Sequence, residues 1–340
     1  MRTKPKYLIN LYIVLLLLAP VCVLAGEVDE NESSQSSQSS QSSQQNGASD
    51  SDYADINEIA RELSHPATSL RSYGLEVTYS TFSGSLPDAN NQTETMLSFR
   101  PTYPIHLSNG KNIIIRADIN MHQSESEWRV DFDSPIWKLD EDYNSVLLRQ
   151  SPQVTPGTGH FRTAHGHLAD VDFDVAYGGV NENGFISMYG IAGTIPSSQN
   201  ISSDRKQMLL GPEIAIGKMA EWGVAGFWLK QLIDLGGNER TDTNEIHTNE
   251  TNIQVFFAYE LGNGWQLVSN PNIIYDWEAD SGNDLLLPLG AGIAKTTFIG
   301  NSPWKFALEL ENYLVTPDRY GPEWMLSFNI TPAFGNGLRH

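Results

Sequence analysis

The sequence predicts an all-β protein: a transmembrane antiparallel up-and-down β-barrel of about 12 strands with a short N-terminal helix. Three observations predict it: strand candidates with a period of two, short turns alternating with long connections, and a signal-like N-terminus. The last candidate, Pro322 to Phe334, shows the period most clearly. Every second residue from Trp324 onward is apolar or aromatic, and those between are mostly small or polar. Such a strand can place one face against an apolar medium and the other against water.

Residues 1–25 are predicted to be a secretory signal peptide. Arg2, Lys4 and Lys6 form a basic start, an apolar run follows from Leu8, and a small residue, Ala25, precedes the predicted cut. An uncleaved membrane anchor is the alternative interpretation. Cleavage would remove the only cysteine of the chain. The mature protein could then not be stabilised by disulfides and would need a large core or a closed hydrogen-bonded sheet.

Residues 26–53 are predicted to be a disordered leader, because their Ser/Gln repeats cannot bury enough apolar surface to offset the entropy of ordering. A short periplasmic helix is predicted within residues 54–70. Apolar residues recur there at helical spacing, Asp55 is placed to cap the start, and Pro66 ends it. Two interpretations stay open. The helix rests against the mouth of the following domain, or it forms a partial plug inside it.

Residues 71–334 are predicted to be the outer-membrane β-barrel. Twelve strand candidates lie near Tyr73–Phe82, Thr93–Ile105, Asn112–Met121, His167–Tyr177, Gly184–Thr194, Gln207–Gly217, Val224–Asp234, Asn252–Leu261, Gln266–Trp277, Leu285–Thr296, Lys305–Leu314 and Pro322–Phe334. An even number of strands is typical of bacterial barrels. It would also bring both ends of the barrel domain to the periplasmic side.

The connections between these candidates differ in length on the two sides. Short turns follow the even-numbered strands: Asn109-Gly110, Asn183-Gly184, Ala220 to Gly223, Asn263-Gly264 and Gly300 to Pro303. Long connections follow the odd-numbered ones: Ser83–Gln92, Gln123–Gly166, Pro196–Arg205, Gly236–Thr251, Ala279–Asp284 and Thr316–Gly321. Asn-Gly pairs favour two-residue hairpins. Short turns on one side and long loops on the other are typical of an outer-membrane barrel whose turns face the periplasm.

The polar face of the strands predicts a wet lumen. Asp170, Asp172 and Asp174 share one side of a strand, where three charges would be costly in a dry core. Alternation along the strands predicts these lumen-facing residues: Arg100, Arg116, Asp118, Asp172, Asp174, Glu213, Lys230, Glu309 and Glu311. A surplus of carboxylates along an open path would favour cations weakly. Trp222, Trp265 and Trp304 near the short turns, and Tyr275, Trp277, Tyr320 and Trp324 near the long loops, predict two aromatic belts.

The chain carries no convincing chemical motif. The formal charge of −20 argues against a nucleic-acid partner, whose phosphates are also negative. His160, His165 and His167 cluster near the long third loop, and a His-x-His pair on a strand could bind a metal ion, but a solvated loop is the favoured interpretation. No Gly-x-Ser-x-Gly motif occurs. We therefore predict no catalytic set, no metal site and no cofactor.

Several segments resemble a family of bacterial outer-membrane transporters labelled "MetA-pathway of phenol degradation", some members of which are misnamed neuromedin U. The matching pieces are Leu63–Leu70, Thr102–Ile105, Tyr275–Glu278, Pro288–Gly292 and Pro317–Trp324. The resemblance spans most of Asp55 to Phe334 in family order. It implies passage of small compounds, in association with the degradation of aromatics. Two departures are the Ser/Gln leader and the tail of residues 335–340.

The leading hypothesis is a channel or facilitator for small compounds, aromatic or hydrophobic ones included, in the outer membrane of a Gram-negative bacterium. The expected partners are outer-membrane lipids, the barrel-assembly machinery and a small-molecule solute. Two alternatives stay open: a barrel-embedded lipid-modifying enzyme, and a non-transporting scaffold or adhesive barrel.

Overall fold

The computed structural model describes residues 50–132, 154–196, 208–235 and 248–334. The predicted signal peptide, nearly all of the leader and the C-terminal tail lie outside these ranges. The described elements are one α-helix, one 3-10 turn and fourteen strands. They are α1 (Asp50–Glu62), the 3-10 turn (Ala89–Asn91), β1 (Arg71–Ser83), β2 (Thr93–His106), β3 (Asn112–Phe132), β4 (Val154–Ala164), β5 (His167–Val180), β6 (Phe185–Ile195), β7 (Leu209–Ala220), β8 (Gly223–Asp234), β9 (Asn249–Gly262), β10 (Trp265–Ser269), β11 (Asn272–Asp276), β12 (Leu285–Ile299), β13 (Ser302–Val315) and β14 (Gly321–Phe334).

The strands close into an antiparallel barrel. Each barrel strand pairs with its neighbours in sequence, and β1 pairs with β14 from Arg71↔Phe334 to Ser83↔Gly321, so the sheet has no free edge. β10 and β11 are two halves of one barrel strand, and β4 pairs only with β3. The barrel therefore has twelve strands, which confirms the predicted fold class.

Pro271 separates β10 from β11. Proline has no amide hydrogen and interrupts the ladder of hydrogen bonds at that point. The register nevertheless continues, because Ser269 pairs with Phe257 and Asn272 pairs with Gln254 on β9. Side chains therefore keep the same alternation on both sides of the interruption.

The outer face of the barrel is apolar. On β1, Tyr73, Leu75, Val77 and Tyr79 are exposed, whereas Thr78 between them is buried. The same alternation recurs around the barrel, with these exposed side chains among others: Tyr189, Ile191, Leu308, Leu310, Leu326 and Phe328. A continuous band of exposed aliphatic and aromatic side chains on a closed barrel is the surface of a protein that sits in lipid. No helix within the described ranges is both long and apolar enough to span a bilayer.

The two ends of the barrel differ as predicted. We call the end with the short connections the turn end and the opposite end the loop end. Asn263 and Gly264 both have positive φ, 53° and 73°, as a two-residue hairpin turn requires. Gly110 and Gly184 also have positive φ, 75° and 73°, but Asn109 and Asn183 do not, and these two connections span residues 107–111 and 181–184, so they are not the predicted two-residue hairpins.

The long third connection differs from its prediction. We predicted a loop over Gln123 to Gly166, but β3 continues past its barrel partner β5 and pairs with β4, from Glu125↔Ala164 to Phe132↔Val154. β3 and β4 thus form a two-stranded extension at the loop end. Local hydrophobic periodicity gives little sign of this pairing, because β4 contains Pro156, three threonines and two glycines and has no regular apolar alternation.

The N-terminal helix also differs in its bounds. It begins at Asp50, so Asp55 lies inside α1 and is not its N-cap, and it ends at Glu62, before Pro66. Residues 63–70 follow as turns and bends before β1 begins.

Candidate functional site in the barrel lumen

The middle of the lumen holds a network of charged side chains around Arg116. Its guanidinium donates Nε to Asp174 Oδ1 at 3.0 Å and Nη2 to Asp174 Oδ2 at 2.7 Å. Nη2 also lies 4.0 Å from Glu213 Oε1. The side chains of Asp174 and Glu213 are 4% and 0% exposed, so their charges depend on Arg116 for compensation. The network links β3, β5 and β7 across the lumen.

Trp228 joins this network to Lys230 on β8. The Arg116 guanidinium lies 4.3 Å from the Trp228 ring centroid, and Lys230 Nζ lies 3.9 Å from it. The indole Nε1 donates to Glu213 Oε2 at 2.8 Å. An aromatic face attracts both cations, while the indole N–H satisfies a buried carboxylate. The large apolar surface of Trp228 thus stands in the lumen between charged groups.

A second network lies against β1 to β3. Arg100 donates Nη1 to Glu76 at 2.9 Å and Nε to Asp118 at 2.8 Å. The Arg100 side chain is 40% exposed, so water screens this pair more than the Arg116 cluster.

The remaining lumen candidates also point inward. Asp172 accepts a hydrogen bond from Thr194 Oγ1 at 2.6 Å, and Glu309 accepts from the backbone and side-chain amides of Asn270 at 2.6 and 2.9 Å. Glu311 is buried two residues further along β13. Most carboxylates of the nine predicted residues have a partner inside the barrel, and a role for these residues in lining a solute path stays a prediction. Asp174 and Asp118 are neutralised by arginines, which leaves less free charge for ion selectivity than the sequence suggested.

Below these networks, toward the turn end, the lumen is filled by apolar side chains. We call this the apolar floor; it consists of Ile114, Ala176, Ile186, Met188, Ala215, Val224, Phe256, Ala258, Val268 and Ala294 from the barrel, with Ala67 from the segment before β1. Ile114, Ile186 and Val224 are 0% exposed. Water does not reach these side chains, and Ala67 of the segment before β1 packs among them.

Residues 56–70 occupy the turn end and contact the inside of the barrel; we call them the plug segment. Ile56, Ile59 and Ala60 are buried. The Gly264 backbone N–H donates to Asn57 Oδ1 at 2.6 Å, at a barrel turn where a β-carbon on the glycine would lie 3.3 Å from Ile56. These contacts favour the second of the two interpretations, a partial plug inside the barrel.

Polar contacts fix the turns that follow the helix. Ser64 Oγ donates to Gln266 at 3.1 Å and accepts from Lys305 Nζ at 2.6 Å. Arg116 Nη1 donates to the Pro66 carbonyl oxygen. Arg116 therefore connects the charged network of the lumen directly to the plug segment.

Glu62 stabilises the plug segment internally. Its carboxylate accepts from the Ser69 backbone N–H at 2.5 Å and lies 3.2 Å from His65 Nε2. Burial by itself would raise the pKa of Glu62, but the hydrogen bond and charge of His65 and the Ser69 N–H outweigh burial and lower the pKa to about 2. The carboxylate thus clamps the two ends of the turn from 62 to 69.

We expect this clamp to weaken in acid. Because the folded-state pKa lies below the usual 4.5, the stabilisation is fully present above pH 4.5 and is lost as the pH falls toward 2. It amounts to about 3 kcal/mol while His65 is protonated, because the charge of that imidazole is part of it. Urea unfolding of the wild type and of Glu62→Gln should differ by about this amount near pH 5 and converge near pH 2. Glu58→Gln, at an exposed site on the same helix, is the control. A difference that does not depend on pH would contradict the assignment.

The loop end contains a small cavity of about 230 Å³. Its lining combines apolar and acidic side chains: Phe82, Ile274, Leu286, Pro317, Tyr320 and Pro322 with Glu250, Asp276 and Asp284. Tyr320 stacks on Phe82 with ring centroids 4.8 Å apart and donates its hydroxyl to the Ser126 carbonyl at 3.3 Å. Residues of β1, β9, β11, β12 and β14 line it, and we call it the entrance cavity.

One sequence interpretation was wrong at this end. His167 was assigned to a solvated loop, but it is 4% exposed and packs inside the barrel against His122, with ring centroids 5.0 Å apart. Sequence reasoning also missed Trp228 and Tyr320 as lumen and entrance residues. Trp228 is two residues before Lys230 on the same strand, so strand alternation places both side chains on the same face. That pattern could have identified Trp228 as a lumen residue.

Comparisons with known proteins identify the fold. No family model matches the sequence, and no curated protein matches it. The structure is similar to the crystal structure of the COG4313 outer membrane channel from Pseudomonas putida F1, with a TM-score of 0.51 and 8% identity over 78% of this chain and 95% of that chain. The fold is that of an outer-membrane β-barrel. A closed barrel of this fold with an apolar exterior lies in the outer membrane of a Gram-negative cell.

Two further matches are weaker. Outer membrane phospholipase A from Escherichia coli has a TM-score of 0.36 and 10% identity over 79% of this chain and 99% of that chain. The CymD monoaromatic hydrocarbon channel has a TM-score of 0.31 and 10% identity over 78% of this chain and 87% of that chain. Such scores do not distinguish one kind of barrel from another, so they carry no argument about activity.

Proposed function

We propose that this chain is an outer-membrane channel or facilitator for small hydrophobic or aromatic compounds, and not an enzyme. The observation that carries the proposal is the order of surfaces along the lumen. A cavity at the loop end, lined by apolar and acidic side chains, is followed by the Trp228 network and then by the apolar floor and plug segment. The similarity to an outer-membrane channel supports the proposal.

The entrance cavity has the size and lining for one aromatic ring. A cavity of about 150 Å³ lined by aliphatic side chains is large enough to bind benzene, and the cavity here is about 230 Å³. Phe82, Ile274 and Leu286 supply apolar contact surface. An uncharged compound with limited polarity gains from burial there, as the hydrophobic effect requires.

The apolar floor separates hydrophobic solutes from ions. An ion that enters the layer around Ile114 and Phe256 would lose its hydration without gaining a partner, at a cost of many kcal/mol. An apolar molecule has no strongly bound hydration shell to lose, and it makes apolar contacts with these side chains, so it does not incur this desolvation cost. The plug segment must move for either kind of solute to pass, because Ala67 is part of the floor.

The finer assignment, to the family labelled "MetA-pathway of phenol degradation", is part of the same proposal. Three of the matching segments belong to the proposed route. Leu63–Leu70 lies in the plug segment, while Tyr275–Glu278 and Pro317–Trp324 flank the entrance cavity. The resemblance supports a small aromatic solute.

Blocking the entrance tests the proposal. Leu286 lines the cavity, whereas Leu289 on the same strand faces lipid and is 54% exposed. We expect Leu286→Trp to reduce the uptake of a small fluorescent aromatic compound by cells that express the protein, on the order of fivefold, because the indole fills the space that one ring needs. Leu289→Trp is the matched control and should leave uptake unchanged.

Two outcomes would reject the proposal. Uptake that does not rise on expression of the wild type would exclude a facilitator. Release of fatty acid from phospholipid vesicles by the purified wild type would favour the lipid-modifying enzyme instead.

A further inference from the structure

Four side chains with metal-binding atoms meet near the loop end of the lumen. We call them the His–Glu cluster: Glu94 on β2, His122 and Glu125 on β3, and His167 on β5. None belongs to the charged networks around Arg100 and Arg116. The proposed transport route does not use the cluster, so metal binding by the cluster does not depend on that route.

Irregular strand pairing brings these side chains together. In a regular strand, residues three apart face opposite sides. The register between β2 and β3 shifts between Thr95 and Met96, so that Thr95 pairs with Ser124 and Met96 with His122. The extra residue on β3 lets both His122 and Glu125 point into the lumen, which is how β-bulges re-aim side chains.

A second irregularity places His167. The register between β3 and β5 shifts between Ile119 and Met121, after which His122 pairs directly with His167. Without the shift, His167 would face the opposite side of β5 from Asp172 and Asp174, because it is an odd number of residues away from each. With the shift, it faces the same side as they do. Two separate bulges thus converge on one small volume.

The donor atoms are close enough to share one metal ion, which would replace the hydrogen bond between His167 and Glu125. His167 Nε2 lies 2.6 Å from Glu125 Oε2, and His122 Nδ1 lies 3.9 Å from the same oxygen. Glu94 Oε1 lies 3.0 Å from His122 Nδ1. Ligands about 2.0–2.2 Å from a tetrahedral Zn²⁺ are roughly 3.3 Å from one another. The donor atoms of His122, Glu125 and His167 all lie within 4.8 Å of each other.

The environment of the two imidazoles supports a site of this kind. The side chains of His122 and His167 are only 12% and 5% exposed. His122 Nδ1 is buried between two carboxylates, 3.0 Å from Glu94 Oε1 and 3.9 Å from Glu125 Oε2. An imidazole nitrogen held between two carboxylate oxygens is placed to share a cation with them.

We propose that the His–Glu cluster binds a divalent transition metal ion, with Zn²⁺ as the ion that its donors suit best. His122, Glu125 and His167 supply three donors, Glu94 beside His122 would supply the fourth, and Zn²⁺ accepts both donor types. The bound ion would join β2, β3 and β5 at the point where β3 leaves the barrel to pair with β4. It would thereby anchor the two-stranded extension above the entrance.

The test is Zn²⁺ binding to the purified full-length barrel in detergent, without an affinity tag that contains histidine and after removal of metal with a chelator. We expect one Zn²⁺ per chain by competition with a chromophoric chelator. His122→Ala and His167→Ala should each weaken binding on the order of 100-fold, since loss of a direct ligand costs at least as much as loss of an outer partner. Co²⁺ in place of Zn²⁺ should give the absorption bands of a tetrahedral centre in the wild type alone.

Matched variants make the result decisive. His106→Ala changes a histidine at the turn end that is hydrogen-bonded to Asn112, and it should leave affinity unchanged. Retention of the heat-dependent gel shift of a folded barrel shows that each variant is folded, and His167→Gln replaces His167→Ala if the latter is not. Absence of stoichiometric Zn²⁺ binding to the wild type would overturn the proposal. So would binding that survives both cluster variants and is lost in His160→Ala/His165→Ala.

Discussion

Deletion of residues 54–70 is expected to raise the ionic conductance of the barrel on the order of tenfold in planar bilayers. The plug segment packs against the turn end and contributes Ala67 to the apolar floor, and twelve strands enclose more space than eight, whose interior side chains nearly fill the barrel. Without the segment, water reaches the apolar floor around Ile114 and Phe256, and the aqueous path becomes continuous. Conductance through a barrel depends on the narrowest part of such a path.

A pair of point substitutions provides the control for this deletion. Ala60 is 0% exposed on the buried side of α1, and Glu58 is exposed on the other side of the same helix. Ala60→Arg should displace the plug and raise conductance, because no space exists for the larger charged side chain. Glu58→Arg should not. Equal conductance in the deletion variant and the wild type would show that the plug segment does not close the lumen.

Phe328→Arg is expected to destabilise the barrel by about 2 to 4 kcal/mol, the cost of an arginine on the lipid face near the bilayer midplane. Phe328 lies midway along β14 and is 43% exposed, between Val77 on β1 and Leu308 on β13, which also face lipid. The measurement is the free energy of unfolding in urea from lipid vesicles.

Ser327→Arg is the matched control for the lipid face. Ser327 pairs with Thr78 and Glu309, whose side chains face the lumen, so an arginine there meets carboxylates and water. Its effect should be much smaller than that of Phe328→Arg. Similar losses for the two variants would show that this strand does not separate lipid from lumen.

Local patterns were sufficient to predict the barrel. The period of two assigned Leu326 and Phe328 to one face and Ser327 to the other before any pairing was known, because side chains of a strand must alternate. The Asn-Gly turns at 109–110, 183–184 and 263–264 marked the turn end, since their backbone conformation is set by the turn residues themselves. All twelve barrel strands follow from these two signals.

Contacts between residues far apart in the sequence determine the position of the plug segment and the arrangement of the charged side chains in the lumen. Pro66 and Arg116 are fifty positions apart, and no local signal indicates that the plug segment enters the barrel to meet the charged network. His122 and His167 come together only because two bulges shift the register, and a shift of one residue turns every later side chain to the opposite face. Strand alternation is a property of each segment of the sequence, and it determined the barrel and its two faces. Register, bulges and the packing of the plug depend on which segments pair, so only the tertiary structure decided how the lumen is closed and where the His–Glu cluster forms.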